Sequence, residues 1–124
     1  MQSLANCAGV IMKIIEGDIF SLSSQFNSEF DYVIEQTCFC AINPSRREEY
    51  EQLIKAIIKP HGKLIGLWFP LDKSMKDGGP PWGTTIPEVK SIFYDGWKIE
   101  KEEFSELSIP SRKNREKLII FKRD

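Results

Sequence analysis

Histidine is almost missing from this chain. Its 124 residues hold one, His61, beside three cysteines, Cys7, Cys38 and Cys40. Metal sites draw on two close cysteine pairs or a mixed cysteine–histidine set. Neither pattern occurs, so no metal is expected. The odd cysteine number reads as reduced, structural thiols. An excess of one charge is missing too: 17 Lys and Arg against 18 Asp and Glu leave a net charge of −1. That balance gives no reason to expect nucleic acid or an anionic membrane as partner. No apolar run is long enough to span a bilayer. Met1 to Val10 carries no basic leader and is too polar for a signal peptide, so the cytoplasm is expected. No repeat, low-complexity tract or linker divides the chain. Apolar residues at 41% and charged residues at 28% fit one soluble globular domain over 1–124.

What is present alternates between two periods. Met12 to Glu16 is apolar and β-branched, ends at Gly17-Asp18, and reads as a short strand and turn. Phe30 to Thr37 has the apolar centre of a buried strand. Asn43 can cap a helix with Pro44 at its first position. Glu48 and Glu49 follow where the helix dipole favours negative charge. Tyr50, Leu53, Ile54, Ile57 and Ile58 then form one packing stripe. Pro60 and Gly62 are expected to end that helix. Lys63 to Pro70 is nearly continuous in apolar residues, as a central parallel strand is. A long Gly/Pro loop follows, from Leu71 to Thr84. Thr85 and Glu88 predict a capping box for a helix from Ile86 to about Tyr94, with Ile86, Val89 and Phe93 inward. After a turn at Asp95-Gly96, Trp97 to Phe104 and Lys117 to Lys122 read as two strands. This order predicts an α/β fold with an open, mostly parallel sheet and an antiparallel pair at its edge.

Several segments are more specific. Glu35-Gln36-Thr37-Cys38-Phe39-Cys40-Ala41-Ile42-Asn43-Pro44, Arg46 and Arg47, and Lys59-Pro60-His61-Gly62-Lys63-Leu64 together resemble the thiopurine S-methyltransferase family with its thiol and halide methyltransferase relatives. Glu16-Gly17-Asp18-Ile19-Phe20, Gly79-Pro80-Pro81-Trp82 and Ser108-Ile109-Pro110-Ser111-Arg112 are similar to three of its loops. The match runs from about Met12 to Arg123. The resemblance implies a class I S-adenosylmethionine-dependent methyltransferase: a Rossmann-like sheet ordered 3-2-1-4-5-7-6 with its last strand antiparallel. On that template the chain supplies strands three to seven. It lacks strand one with its Gly-rich turn and strand two with its ribose-binding acid, as an N-terminally truncated member would. Cys7-Ala8-Gly9-Val10 is no substitute for the Gly-rich turn.

The resemblance also nominates residues. Asp18, Ile19 and Phe20 would sit beside the adenine of S-adenosyl-L-methionine. The alternatives are that Asp18 only bonds its own turn and that Phe20 only fills the core. Glu35, Gln36 and Thr37, at a strand's C-terminal end, would meet the amino-acid part and sulfonium, or simply face water. Arg47 and Arg112 are the catalytic candidates, with Arg46 the neighbouring alternative near the acceptor. An arginine in a helix's first turn opposes the dipole, which favours a role for one of the pair. Pro80, Pro81 and Trp82 would form a stiff lid over the substrate, or pack on the sheet edge. His61 reads as a turn residue. The implied acceptor is a small thiol or similar nucleophile, whose thiolate nearby arginines would favour. The alternative is a non-catalytic half-domain. With strand two absent, strand three has no neighbour and strand four exposes an apolar edge at Val33 and Ile34. That edge predicts abnormal docking of the first strand, instability or self-association.

Overall fold

A computed structural model describes Gly9 and residues 11–124. Most of the Cys7–Val10 segment therefore lies outside the described residues. A 3-10 turn at Ile19–Ser21 leads into a short helix, α1, Leu22–Gln25. The first strand, β1, is Phe30–Gln36, where β-branched Val33 and Ile34 favour extension. A 3-10 turn at Pro44–Arg46 opens helix α2, Arg47–Ile57, and Asn43 Oδ1 accepts from Ser45 N at 3.0 Å. Strand β2 is Ile58–Trp68, helix α3 is Ile86–Ile92, and strands β3 and β4 are Trp97–Glu103 and Lys117–Arg123.

The sheet runs β1-β2-β4-β3, with β1 parallel to β2 and β4 antiparallel to both its neighbours. This order matches 4-5-7-6 of the expected template. One face carries Leu64, Trp68, Ile119 and Phe121, all fully buried, and takes the stripe Tyr50, Leu53, Ile54 and Ile57 of α2 with Val89 and Phe93. Trp68 meets Phe39, Phe93 and Phe121 at centroid distances of 5.3, 5.3 and 6.0 Å. Its indole lies across Gly66, where a Cβ would stand 2.5 Å from the ring. The opposite face is less covered: Ile65 and Leu67 are half-buried, and Ile34 is 77% exposed.

Three expectations are corrected. Met12 to Glu16 is not a strand, so among the described residues the sheet has four strands where five were expected. A strand needs a neighbour's N–H and C=O groups, and strand two of the template has no counterpart among the described residues. The segment runs irregularly, with Ile14 and Ile15 exposed, and does not pair with β1.

Helix α2 ends at Ile57, before Pro60. Ile58 still donates its N–H to Ile54 O but is already extended, fully buried and paired with Phe30. Pro60 disfavours helix at Lys59, and the burial of Ile58 decides the earlier end. The β1–β2 register then shifts between Phe30 and Tyr32, bulging Lys59–Gly62 outward with His61 at φ 68°.

Only half of the capping box forms. Thr85 Oγ1 accepts from Glu88 N at 3.2 Å, while the Glu88 carboxylate is drawn to Arg47. Helix α3 is correspondingly short, ending at Ile92.

Candidate active site

The C-terminal end of β1 is where an open α/β sheet offers ligand space. Period two turns Glu35 toward the core and leaves Gln36 exposed. The chain then breaks sharply. Thr37 has φ 58°, costly for a β-branched residue, and its hydroxyl donates to Gln36 O at 2.7 Å. Beyond it, Glu35 Oε1 accepts from Phe39 N at 2.6 Å and from the Tyr50 hydroxyl at 2.8 Å. Burial pushes the Glu35 carboxyl above its ordinary range; the bonds from Tyr50 and Phe39 pull the other way without cancelling that. Burial, then the neighbouring Glu35, also raises the Cys38 and Cys40 thiols, so neither is an activated nucleophile.

Glu35, Gln36 and Thr37 line a cleft of about 650 Å³ with Arg112. Its floor is the less covered sheet face, at Ile34, Ile65, Leu67 and Leu118, and its roof is the late loop from Ser105 to Arg112. Arg112 is held over the Phe69 ring at 4.6 Å. Glu116 lines the cleft too, although the sequence reading passed over it. It is 3% exposed, and Oε1 accepts from Ser108 Oγ at 2.7 Å. Its i, i+4 spacing from Arg112 was the available signal.

The other nominated residues lie elsewhere. Asp18 and Ile19 line a separate groove of about 410 Å³, running beside β1 past Phe26, Phe30 and Val33. The Asp18 carboxylate accepts from Phe20 N at 2.9 Å, which caps the 3-10 turn. Phe20 sits under Arg46, whose guanidinium carbon is 3.6 Å from the ring centroid. Arg46 is exposed and paired with Glu49 at 2.5 Å.

Arg47 is 2% exposed. Nη1 donates to Glu88 Oε1 at 2.5 Å, and Nη2 donates to the carbonyls of Trp82 and Gly83, both at 3.2 Å. Its guanidinium also lies over Phe39, at 4.4 Å. Pro80, Pro81 and Trp82 are thus tied down: Trp82 N donates to Cys40 O at 2.8 Å, and Lys73 Nζ donates to Pro81 O at 2.9 Å. None of these three lines the cleft. Glu88, which the sequence marks only as part of a capping box, is the anchor for Arg47.

This fold is shared with known proteins. The profile of the family described as Thiopurine S-methyltransferase (TPMT) matches residues 2–123. The chain belongs to this family. Among its relatives, a "Probable thiol methyltransferase 2" of Arabidopsis thaliana is 34% identical over 91 residues, 73% of this chain and 39% of that protein. Thiocyanate methyltransferase 1 of Brassica oleracea is 33% identical over 93 residues, 74% of this chain and 40% of that protein. The chain thus spans about two fifths of the length of the relatives it matches. In fold, the 1,6-didemethyltoxoflavin-N1-methyltransferase of Burkholderia thailandensis superposes with a TM-score of 0.72 at 16% identity, covering 98% of this chain and 55% of that one. The chain has the mixed α/β, Rossmann-like architecture of such neighbours. Among its described residues, no helix is long and apolar enough to cross a membrane.

Proposed function

We propose that this chain takes part in S-adenosylmethionine-dependent methylation of a small thiol. The observation that carries the proposal is the cleft joining Glu35, Gln36 and Thr37 at the end of β1 to Arg112 of the late loop. Family membership and the thiol acceptor in one relative's name support it.

The residues present fit one end of the cofactor. Exposed Gln36 and Thr37 offer polar groups for its amino-acid part, and Glu35 beneath them offers a carboxyl group for the sulfonium side. Asp18 and Ile19 line the other groove, which would take the adenine side. When bound, S-adenosylmethionine would supply an electrophilic methyl group; the thiol sulfur would take it and become a thioether, with S-adenosylhomocysteine as the leaving group and the thiol proton passing to solvent. The chain's own task is positioning and electrostatics. Arg112, with its guanidinium at the cleft wall, favours the thiolate as it forms. Arg47 holds the Gly79–Gly83 loop against α2 and α3 as a positioning residue.

Calorimetry of the full chain with S-adenosylhomocysteine tests the reading. Saturable binding that weakens on Gln36→Ala is expected; no heat at millimolar ligand removes the methyl-transfer claim. We propose further that the edge of β1, which no strand among the described residues pairs on its outer side, supports self-association, since Tyr32 and Ile34 are 62% and 77% exposed beside it. The proposed setting is the cytoplasm, where the free thiols of Cys38 and Cys40 stay reduced.

A further inference from the structure

The Arg112 side chain lines the cleft, yet it makes no hydrogen bond among the described residues. Glu116 Oε2 stands 3.9 Å from Nη1, too far for one. A long side chain on a surface loop loses rotamer freedom when it is fixed, and some contact must offset that loss. The Phe69 ring supplies the contact, with the guanidinium carbon of Arg112 4.6 Å from its centroid. A ring face attracts a cation, and the planar guanidinium stacks on it. Such a contact spends no N–H, so the donors of Arg112 stay available to a ligand in the cleft.

Phe69 is well placed for this. Ile65 and Leu67 of β2 form part of the cleft floor, and the same alternation brings half-buried Phe69, just past the strand, to that face. Phe69 does not itself line the cleft. The ring meets the late loop a second time through Arg115, whose guanidinium carbon is 5.1 Å from the same centroid. Arg115 is fixed in turn, by Asp72 at 2.8 Å and the carbonyl of Ser111 at 3.1 Å. Each guanidinium has a carboxylate nearby, Glu116 or Asp72, which limits the repulsion between them.

We propose that Phe69 is a positioning residue for Arg112: its ring holds the guanidinium at the cleft wall with the N–H donors unspent and turned to an incoming acceptor. Calling the ligand an acceptor rests on the methyl-transfer reading. The contact between ring and guanidinium does not. Leu in place of Phe69 keeps apolar bulk but has no ring face, whereas Tyr keeps the face. The two substitutions therefore separate orientation of Arg112 from plain packing.

The test titrates thiocyanate, a small sulfur anion, into the full chain at low ionic strength. NMR follows the Arg112 side-chain resonances and the backbone amides of the cleft. In the wild type, Arg112 is expected to show an upfield ring-current shift and a saturable response to thiocyanate. Phe69→Leu is expected to lose that shift and to bind thiocyanate about fivefold more weakly, and Phe69→Tyr to keep both. On an Arg112→Gln background, Phe69→Leu is expected to weaken binding no further, since it acts only through that side chain. Unchanged thiocyanate affinity in Phe69→Leu, equal weakening in Phe69→Tyr, or a further loss in the double variant overturns the proposal. If Phe69→Leu does not fold, the wild type and Phe69→Tyr decide: an Arg112 without the ring-current shift, or without a saturable response, rejects it. Binding of S-adenosylhomocysteine is measured on the same samples. If Phe69→Leu weakens it as much as it weakens thiocyanate, the cleft is disturbed as a whole and the proposal fails. Absence of S-adenosylhomocysteine binding in the wild type ends the methyl-transfer reading and leaves the thiocyanate and ring-current results to judge Phe69.

Discussion

Glu35 and Arg47 show how far apart two buried charges can be in what they do. Each sits where α2 meets the end of β1, and each is under 4% exposed. Glu35 is held by a hydroxyl and a backbone N–H, and burial still raises its pKa. The fold thus binds the Glu35 proton more tightly than the unfolded chain does. This contribution to stability is fully present below the ordinary carboxylate pKa and is lost as pH rises through the higher folded value. Wild-type stability is expected to fall across that window, from about pH 4 upward, and Glu35→Gln to flatten the slope. Urea denaturation at several pH values measures it; an unchanged slope in Glu35→Gln would rule out Glu35 as the titrating group. Arg47 is different, since its planar fork serves one carboxylate and two carbonyls at once. Lys offers a single ammonium and cannot reproduce that fork. Arg47→Lys is expected to cost about 2–4 kcal/mol, as removal of a buried charge partner does. Amide exchange should quicken at Trp82 ahead of the sheet, and equal protection there would show that the loop does not depend on Arg47. The sequence singled out both residues, Glu35 and Arg47. It could not tell that Arg47 is a buried anchor and not a group facing substrate, because partners 35 to 41 positions away do not show in local spacing.

At the scale of the element, the long apolar runs were legible and the punctuation was less so. Phe30 to Thr37 and Lys117 to Lys122 were readable as strands because β-branched residues cluster there with few breakers. Met12 to Glu16 carries the same local signal and is irregular, since a strand is completed by its neighbour and not by its own residues. Pro60 was a fair stop signal, yet burial of Ile58 against Phe30 ended the helix sooner. The same missing neighbour leaves the β1 edge open beside Ile34. Ile34→Lys puts a charge at that edge, as natural edge strands do. It is expected to shift the chain toward monomer in sedimentation velocity, with stability changed by less than about 0.5 kcal/mol for so exposed a site. Identical association in the variant and the wild type would place self-contact elsewhere.

On the scale of the whole molecule, one aromatic cluster joins what the cleft needs. Phe39 follows the break at Thr37, Trp68 ends β2, Phe93 closes α3, Trp97 opens β3 and Phe121 lies in β4. Phe93 is 5.3 Å from both Trp68 and Phe121 and 5.7 Å from Trp97, centroid to centroid. Sequence periodicity assigned Phe93 to the inner face. It could not show that five aromatic side chains from five segments meet, because that follows from the order in which β4 inserts between β2 and β3. The late loop is attached to this core differently. Arg115 Nε donates to Asp72 at 2.8 Å, Leu71 N donates to Arg115 O at 2.9 Å, and Ser108 reaches Glu116. Leu107 and Ile109, by contrast, are 93% and 57% exposed. The cleft is therefore a rigid floor under a roof held by a few polar contacts, and the two should respond separately. Phe39→Ala removes a fully buried ring and is expected to cost about 3–5 kcal/mol. Because α2, α3 and the sheet share that core, far-ultraviolet circular dichroism and tryptophan fluorescence should still report one coincident transition. Ser108→Ala should leave that transition within about 1 kcal/mol of wild type while speeding amide exchange from Ser105 to Arg112. If Ser108→Ala instead lowers the global transition as far as Phe39→Ala does, roof and floor form one unit.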